Sequence, residues 1–373
     1  MTKPFDAIVV GAGPAGSAAA GMLAARGRRV LVFEKERFPR RKVCGEFLSA
    51  DALDSLERLG VREDVEARAE RIREGELYLR NGRPIALRLP ARALGISRFV
   101  LDDLLARRAA ELGAEFRFGS RVRDVAPEGA GWRVRISEGS REEEARARSV
   151  VGAWGRWDAL DRALNRGFDG RHGRFLAWSR EYAPSLAMAG RVRVYLFRGG
   201  YCGLSRVEGG RVNLAGVVAE SHHRRLTGGW DAVLDHARRW NAALDRDLAA
   251  LTPSSDFLGA GPVYFASKPP AEGGILMAGD AAGVLDPFSG EGQECALASG
   301  ILAARTLERA FSGELALERA AEVYAAEWRA RFRRRFGWSA AFRSLMLHPR
   351  LAAAAAPLVG ESLTRLALSR LRA

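Results

Sequence analysis

Lysine is nearly missing from this chain. Only Lys3, Lys35, Lys42 and Lys268 stand against fifty-five arginines in 373 residues, and the arginines are spread along nearly every segment. A formal net charge of +14 is the electrostatic footprint that a polyanion-binding surface leaves. An even spread with this arginine-for-lysine skew is more simply a bias in codon composition, and it argues against a nucleic-acid partner. Cysteine is scarce as well. Cys44, Cys202 and Cys295 are odd in number and far apart, which excludes a disulfide framework and a cysteine metal centre and predicts reduced thiols. The one histidine pair, His222-His223, has no further His or Cys at ligand spacing, so it reads as a solvated loop and no metal is expected. No apolar run reaches the ~18 residues of a membrane span. The opening Met-Thr-Lys-Pro passes directly into a strand and leaves no room for a signal peptide, so the expectation is a soluble, cytoplasmic protein. Internal repeats and low-complexity linkers are also missing; Ala352 to Ala356 is only a short helix former.

What is present starts with length and apolar content. With 47% hydrophobic residues, 373 residues fill two domains or one elaborated domain. The organising stretch is Phe5 to Glu34. Ala7-Ile8-Val9-Val10 has the length and β-branched content of a buried parallel strand, and it runs into Gly11-Ala12-Gly13-Pro14-Ala15-Gly16. In this G-x-G-x-x-G, Gly11 permits the tight turn and Gly13 lets backbone amides approach a pyrophosphate. Gly16 lets the next helix lie close on the strand. That helix, Pro14 to about Ala25, is built of small residues and aims its positive end at phosphate. Gly27 ends it. The strand Val30 to Phe33 then delivers Glu34, a carboxylate placed to accept hydrogen bonds from ribose hydroxyls. Strand, glycines, helix, strand and acid in that order predict a dinucleotide site.

The loop from Lys35 through Arg37, Arg40, Arg41 and Lys42 to Cys44-Gly45-Glu46 is basic and broken by Pro39. Its cations can neutralise a pyrophosphate or steer an anionic nicotinamide cofactor. A helix from Ser49 to Leu59 is expected next, then short strands at Leu77 to Leu79 and Ile85 to Leu87 around an Asn81-Gly82 hairpin turn. Ser97 should cap a helix from Arg98 to Leu112. Strands follow near Glu115 to Phe118, Val122 to Ala126 and Trp132 to Ile136, and Val150 to Ala153 reads as another buried strand. From about Gly173 to Gly261 the pattern becomes glycine-punctuated alternating strands with one helix, Trp230 to Leu251, which suggests an inserted antiparallel sheet forming a substrate wall. Gly274 to Asp280 is a short buried strand ending in an acid. The glycine-rich Asp286 to Gly292 loop then opens a small-residue helix, Gln293 to Leu307, and offers a second helix N-terminus to an anionic acceptor. The tail from Leu315 is helical and basic. In it Trp328, Phe332 and Phe336 fall on one stripe among five arginines. Such a helix packs on the first domain with its arginines solvated, or else lies on an anionic membrane surface and admits a lipophilic substrate.

Taken together, the fingerprint with Glu34, the block Arg41-Lys42-Val43-Cys44-Gly45-Glu46, the helix-opening Arg98, and Gly279-Asp280 with Asp286-Pro287 and Gly290-Glu291-Gly292 resemble the FAD-dependent oxidoreductases of the geranylgeranyl reductase and p-hydroxybenzoate hydroxylase type. The resemblance implies an α/β fold, a Rossmann-type FAD-binding domain with an inserted antiparallel β-sheet substrate domain and a helical C-terminal tail. The expected organisation is 1–74, 91–160 and 271–325 for the FAD domain, 75–90 and 161–270 for the substrate sheet, and 326–373 for the helical segment. FAD is the implied cofactor, with NAD(P)H as a transient electron donor. The candidate cofactor-binding residues are Gly11, Gly13, Pro14, Ala15, Gly16, Glu34, Lys35, Arg41, Cys44, Gly45, Arg98, Val122, Gly279, Asp280, Gly290, Gly292 and Gln293. Glu34 falls to the adenosine ribose, Arg98 to the pyrophosphate or ribityl, and Asp280 to the ribityl. The amides of Gly290 to Gln293 fall to the flavin's pyrimidine edge, where negative charge develops on reduction. The flavin carries the chemistry, so no catalytic side chain is required; Cys44 is the one candidate the resemblance offers, beside the plainer reading of a buried thiol.

The chain also departs from its resemblances. Related hydroxylases carry Asp-Gly where Trp154-Gly155 stands, in a motif that handles flavin and nicotinamide, and for Trp154 plain packing is the expectation. The prenyl reductases carry Tyr-x-Trp-x-Phe-Pro along their tunnel; Tyr201-Cys202-Gly203-Leu204-Ser205-Arg206 keeps only the Tyr. The Trp-x-Trp-x-x-Ile of flavin halogenases does not occur, which argues against halogenation. The leading expectation is therefore an FAD-dependent monooxygenase that acts on a lipophilic or aromatic small molecule. The alternative is a geranylgeranyl-reductase-like reductase of isoprenoid double bonds. A nucleic-acid-binding flavoprotein is the third reading, carried by charge alone.

Overall fold

The computed structural model describes residues 4–79, 84–139, 141–156, 158–166 and 174–347. In chain order these form β1 (Phe5–Val10), α1 (Pro14–Ala24), β2 (Val30–Glu34), β3 (Phe47–Leu48), α2 (Ala52–Leu59), α3 (Arg62–Arg68), β4 (Glu70–Tyr78), β5 (Pro84–Gly95), α4 (Arg98–Glu111), β6 (Glu115–Phe118), β7 (Arg121–Glu128), β8 (Gly131–Glu138), β9 (Arg141–Gly152) and α5 (Ala159–Ala163). The second half continues with β10 (Phe175–Tyr182), β11 (Arg191–Phe197), β12 (Gly200–Arg206), β13 (Val212–Ala219), α6 (Glu220–His223), α7 (Gly229–Trp240), α8 (Ala242–Ala249), β14 (Leu258–Val263), β15 (Ala271–Glu272), β16 (Ile275–Met277), α9 (Gly292–Phe311) and α10 (Ala320–Leu347).

Two sheets result. The first runs β15-β16-β9-β1-β2-β6, with the β7-β8 hairpin joined to β9. Its centre is parallel, β1 pairing with β2 on one side and β9 on the other. Such strands are covered on both faces, which is why Ile8, Val9, Val30, Val32, Val150 and Val151 are all buried. The helices α1 and α9 cross over this sheet so closely that a Cβ on Gly300 would stand 2.1 Å from the Ala15 carbonyl oxygen. Glycine at that crossing brings two helix N-termini toward one place. Here is the expected Rossmann-type α/β domain with its inserted sheet and helical tail.

The second sheet runs β14-β10-β13-β12-β11-β4-β5-β3 and is antiparallel except where β11 meets β4. Its side chains alternate between two surroundings. Trp178, Tyr195, Phe197, Leu204 and Leu214 pack under Val233, Leu234, Ala237 and Leu244 of α7 and α8. Leu77, Ala177, Leu196, Tyr201 and Val217 turn the other way, toward Phe265 and Val284. That second face looks onto the first domain and makes the wall of a cavity.

Several elements differ from the sequence reading. The helix expected at Ser49 begins at Ala52, and the short strands at Leu77 and Ile85 are the ends of long ones, β4 and β5. The Asn81-Gly82 turn and Ala352 to Ala356 lie outside the described residues. The single helix expected from Trp230 to Leu251 is two helices broken at Asn241. The Asn241 side chain accepts from the amides of Ala243 and Leu244 at 3.2 and 3.3 Å, and donates to the carbonyls of Tyr78 and Leu196 at 3.0 and 3.2 Å. A buried amide that caps one helix and ties it to the sheet outweighs continuity of the helical pattern.

In the tail, Trp328 and Phe332 are buried in the core of the first sheet beside Tyr324, and Phe336 packs against it. The aromatic stripe is thus spent on packing. Its arginines are not all solvated as expected, since Arg335 is buried. Among the described residues no helix is long and apolar enough to cross a membrane.

Candidate functional site

The site starts in the turn between β1 and α1. Gly11 has φ of +104°, and a Cβ there would lie 2.4 Å from the Ala153 carbonyl oxygen. At Gly16 a Cβ would lie 1.8 Å from the Gly11 carbonyl oxygen, so this glycine serves helix packing alone. Gly13 is different. Its missing Cβ would meet nothing closer than Arg98 Nη2 at 3.7 Å, so the space above it is open toward the cavity. The first turn of α1 faces that space with its free amides.

Glu34, at the end of β2, is buried and braced. Its Oε2 accepts from the Ala12 amide at 2.9 Å and its Oε1 from the Glu36 amide at 3.0 Å. Around it is a cavity of about 470 Å³ lined by Gly11, Gly13, Lys35, Arg40, Arg41, Lys42, Arg121, Val122, Trp154 and Arg156. Three of its cations are already engaged: Lys35 pairs with Asp158 at 3.2 Å, Arg40 with Glu34 at 4.0 Å, and Arg41 with Glu181 of β10 at 3.0 Å. Lys42 is the more available one. Burial, with Arg98 and Arg40 nearby, lowers its pKa to about 8, so an arriving anion would relieve crowding among cations.

A second cavity of about 350 Å³ shares Gly13, Lys42, Ala153, Gly155 and Arg156 with the first. Pro14, Ala15, Cys44, Gly45, Arg98, Gly279, Asp280, Gly290, Gly292 and Gln293 line it. The two cavities thus adjoin across five shared residues, and taken together as one channel they are lined by every cofactor candidate except Gly16, which packs against Gly11. Arg98 is held by a bidentate pair with Asp102 at 2.6 and 2.7 Å. Burial pushes its pKa down, but Asp102 outweighs this and leaves it above the ordinary arginine value. Gly279 is braced through its amide by Ser299 Oγ at 2.8 Å, which sets Asp280 at the channel wall.

The loop of residues 43–47 is stapled to the second sheet. The Cys44 carbonyl accepts from Asn213 Nδ2 at 2.9 Å and the Gly45 carbonyl from Ser205 Oγ at 3.1 Å. Cys44 Sγ faces Gln293 Nε2 at 3.7 Å and the Glu46 amide at 3.4 Å. Burial pushes this thiol up, so it rests as a thiol rather than a nucleophilic thiolate. Sequence reasoning passed over Glu46, which also lines the cavity. Its Oε1 accepts from the Arg98 amide at 3.1 Å, its Oε2 is buried without a hydrogen bond, and burial pushes its pKa up to about 8. The position of Glu46 within the Cys-Gly-Glu block was the only available signal.

Beyond these groups the channel becomes apolar. Register places Leu77, Val194, Gly203 and Ala215 in one row across β4, β11, β12 and β13. The next row holds Leu196, Tyr201, Val217 and Ala177. Small side chains in the middle of the first row hollow the wall, and Val263, Phe265, Val284 and Phe288 close it. The Tyr201 hydroxyl donates to Asp286 Oδ1 and accepts from the Phe288 amide at 3.0 Å. It thus joins the wall to the turn before α9. Trp154 is buried, its ring filling the space above Gly152, which agrees with a packing role.

The sequence profile of the FAD binding domain family matches residues 4–183. The menaquinone reductase of Mycolicibacterium smegmatis is 30% identical over 328 residues, 82% of this chain and 77% of that protein. The digeranylgeranylglycerophospholipid reductase 2 of Methanopyrus kandleri is 28% identical over 90% of this chain and 85% of its own length. Among solved structures, the flavin-dependent brominase Bmp2 superposes with a TM-score of 0.83 at 21% identity, covering 100% of this chain and 95% of that one. At that identity the likeness is one of fold.

Proposed function

Because the chain belongs to the FAD-binding oxidoreductase family that includes the p-hydroxybenzoate-hydroxylase-fold monooxygenases and halogenases and the geranylgeranyl-reductase-like enzymes, we propose that it is an FAD-dependent reductase of a double bond in a lipophilic, isoprenoid-bearing molecule. The observation that carries this reading is the single channel with two unlike halves: a nucleotide cradle at one end and an apolar hollow at the other, meeting at Gly13, Lys42 and Gly155. Reduction is placed ahead of hydroxylation because both reductases above match more than four-fifths of the chain. Their substrates, by name, are lipids.

The residues fit FAD. Open space over Gly13, at the mouth of a helix with free amides, suits a pyrophosphate, and Lys42 and Arg98 supply charge beside it. Glu34 is set for the adenosine ribose, Asp280 for the ribityl chain, and the α9 N-terminus from Gly290 to Gln293 for the pyrimidine edge. When bound, FAD supplies two-electron transfer. The protein holds it, orients the lipophilic molecule against Leu77, Val194, Gly203 and Ala215, and keeps water out. Glu46, neutral near pH 7, holds a proton at its carboxyl group in the wall of the same cavity. NAD(P)H is the donor we propose. A peripheral contact with anionic lipid falls to the outward face of α10, where Arg329, Arg333, Arg334 and the 40%-exposed Trp338 lie. Cosedimentation with anionic vesicles tests it: loss of pelleting in Arg333→Glu/Arg334→Glu supports the contact, and no pelleting of the wild type refutes it.

A second reading, NAD(P)H-dependent monooxygenation, has support from the fold, which a probable FAD-dependent monooxygenase of Pseudomonas aeruginosa shares at a TM-score of 0.77. Oxygen separates the two. A reductase saturates its substrate anaerobically once its flavin is reduced, whereas a hydroxylase consumes oxygen with substrate-stimulated NAD(P)H turnover.

A further inference from the structure

The tail helix reaches the site from behind. Arg331, Arg335, Ser339 and Arg343 recur every fourth residue, so they form one line along α10. That line lies over the turn that opens α9. Arg331 Nη2 stands 3.6 Å from Glu294 Oε1, Arg335 Nη1 3.9 Å from Glu291 Oε2, and Arg343 Nη1 4.0 Å from Asp286 Oδ2. Ser339 Oγ accepts from the Asp286 amide at 3.0 Å. All three acids are buried, as are Arg335 and Arg343. Arg343 is fixed further by the Phe265 carbonyl at 3.4 Å and by the rings of Phe175 and Phe265, 5.9 and 5.4 Å from its guanidinium carbon.

Asp286 is the node of this arrangement. Oδ1 accepts from the Tyr201 hydroxyl in the cavity wall and from the Phe288 amide; Oδ2 has no hydrogen bond and faces Arg343. A carboxylate out of water is tolerated when a cation stands close, and removing that cation leaves a buried charge uncompensated. The turn it braces, Pro287 to Gly290, lines the cavity and leads into the α9 N-terminus.

We propose that Arg343, acting through Asp286 and with Tyr201 and Ser339, positions the turn Pro287–Gly290 and sets the reduction potential of the flavin that this turn serves. The inference rests on the FAD reading above. Reduction adds negative charge to the flavin, so a second, uncompensated negative charge behind the turn opposes it. With Arg343 in place the Asp286 charge is cancelled. Burial already raises the Asp286 pKa, and Tyr201, the Phe288 amide and Arg343 oppose that rise. Loss of Arg343 therefore favours a protonated Asp286 at low pH and an ionised, uncompensated one at higher pH. The groups facing it are Tyr201 from β12, Phe288 from its own turn, and Ser339 and Arg343 from α10; Arg335 and Glu291 form the adjacent pair.

The test uses the full chain reconstituted with FAD and measures the midpoint potential across the neutral pH range. Arg343→Gln should lower the potential, increasingly as pH rises. Arg343→Lys should restore it, and so should the double variant Arg343→Gln/Asp286→Asn. Amide exchange across Phe288 to Gln293 in the FAD-free protein should be faster in Arg343→Gln than in wild type. An unchanged potential at every pH, an equal loss in the double variant, or unchanged exchange in the turn would overturn the proposal. Failure of the wild type to take up FAD would instead defeat the reading beneath it, and the exchange experiment would still decide the positioning role.

Discussion

Two glycines three residues apart should fail in opposite ways when they gain a side chain. Gly16→Ala places a Cβ 1.8 Å from the Gly11 carbonyl oxygen, closer than any real contact, so α1 must move off β1. The expected result is a loss of several kcal/mol in stability, at the upper end of overpacking effects of about 1–3 kcal/mol. Gly13→Val should leave the empty fold almost untouched. Its backbone is already in an ordinary region, φ −65°, and its Cβ direction is clear to 3.7 Å. The branched side chain would instead stand where the pyrophosphate must approach. Losing two charge-assisted hydrogen bonds of about 1.5–3 kcal/mol each weakens FAD binding by roughly 10²–10⁴-fold at ~1.4 kcal/mol per decade. Fluorescence titration of FAD and thermal unfolding of the FAD-free protein separate the two effects. A Gly13→Val protein that binds FAD as wild type does, or that unfolds as readily as Gly16→Ala, would refute the assignment of the open space to a phosphate.

Other residues carry predictions of their own. Phe332→Ser removes a core aromatic and should cost about 3–5 kcal/mol, read by chemical denaturation; a change under about 1 kcal/mol would mean the stripe is not packed as described. Gly203→Leu should fill the hollow row, so that binding of a lipophilic substrate is lost while FAD content is kept, and loss of both together would count against a divided channel. Glu46 binds its proton more tightly folded than unfolded, up to a pKa of about 8 from 4.5. Its contribution to stability is therefore present below about pH 4.5 and is lost progressively as pH rises to about 8. Glu46→Gln should flatten the melting-temperature decline over that window, and an unaltered slope would show that Glu46 is ionised in the folded protein.

How far the sequence could be read depends on the range of the interaction that decides each feature. The β1-α1-β2 unit was legible because its determinants are local: a β-branched run, glycines at fixed spacing and an acid at the strand end. The second sheet was legible as alternation, and its hollow was not, since Gly203 and Ala215 become neighbours only through strand register. The break at Asn241 was hidden because an Asn within an amphipathic pattern looks like one more polar position. Its partners, Tyr78 and Leu196, are far away in the chain. Glu46 was passed over for a related reason: its pKa is set by burial that only the folded loop creates. The arginines of α10 misled most. A basic helix reads as solvated, but Arg335 and Arg343 are turned inward by acids some 40 to 60 residues earlier, within a turn whose purpose in sequence was already assigned to the flavin.

The reaction itself is decided by one anaerobic turnover. FAD-loaded protein is reduced in the absence of oxygen and mixed with a prenylated quinone, while the flavin's visible band and the mass of the product are followed. The oxidised band should return without oxygen, and the product, once any quinol has been reoxidised to the quinone, should keep two hydrogens more than the substrate in its prenyl chain. Return of the band only when oxygen is admitted, with a product heavier by one oxygen atom, would contradict this and make the protein a monooxygenase.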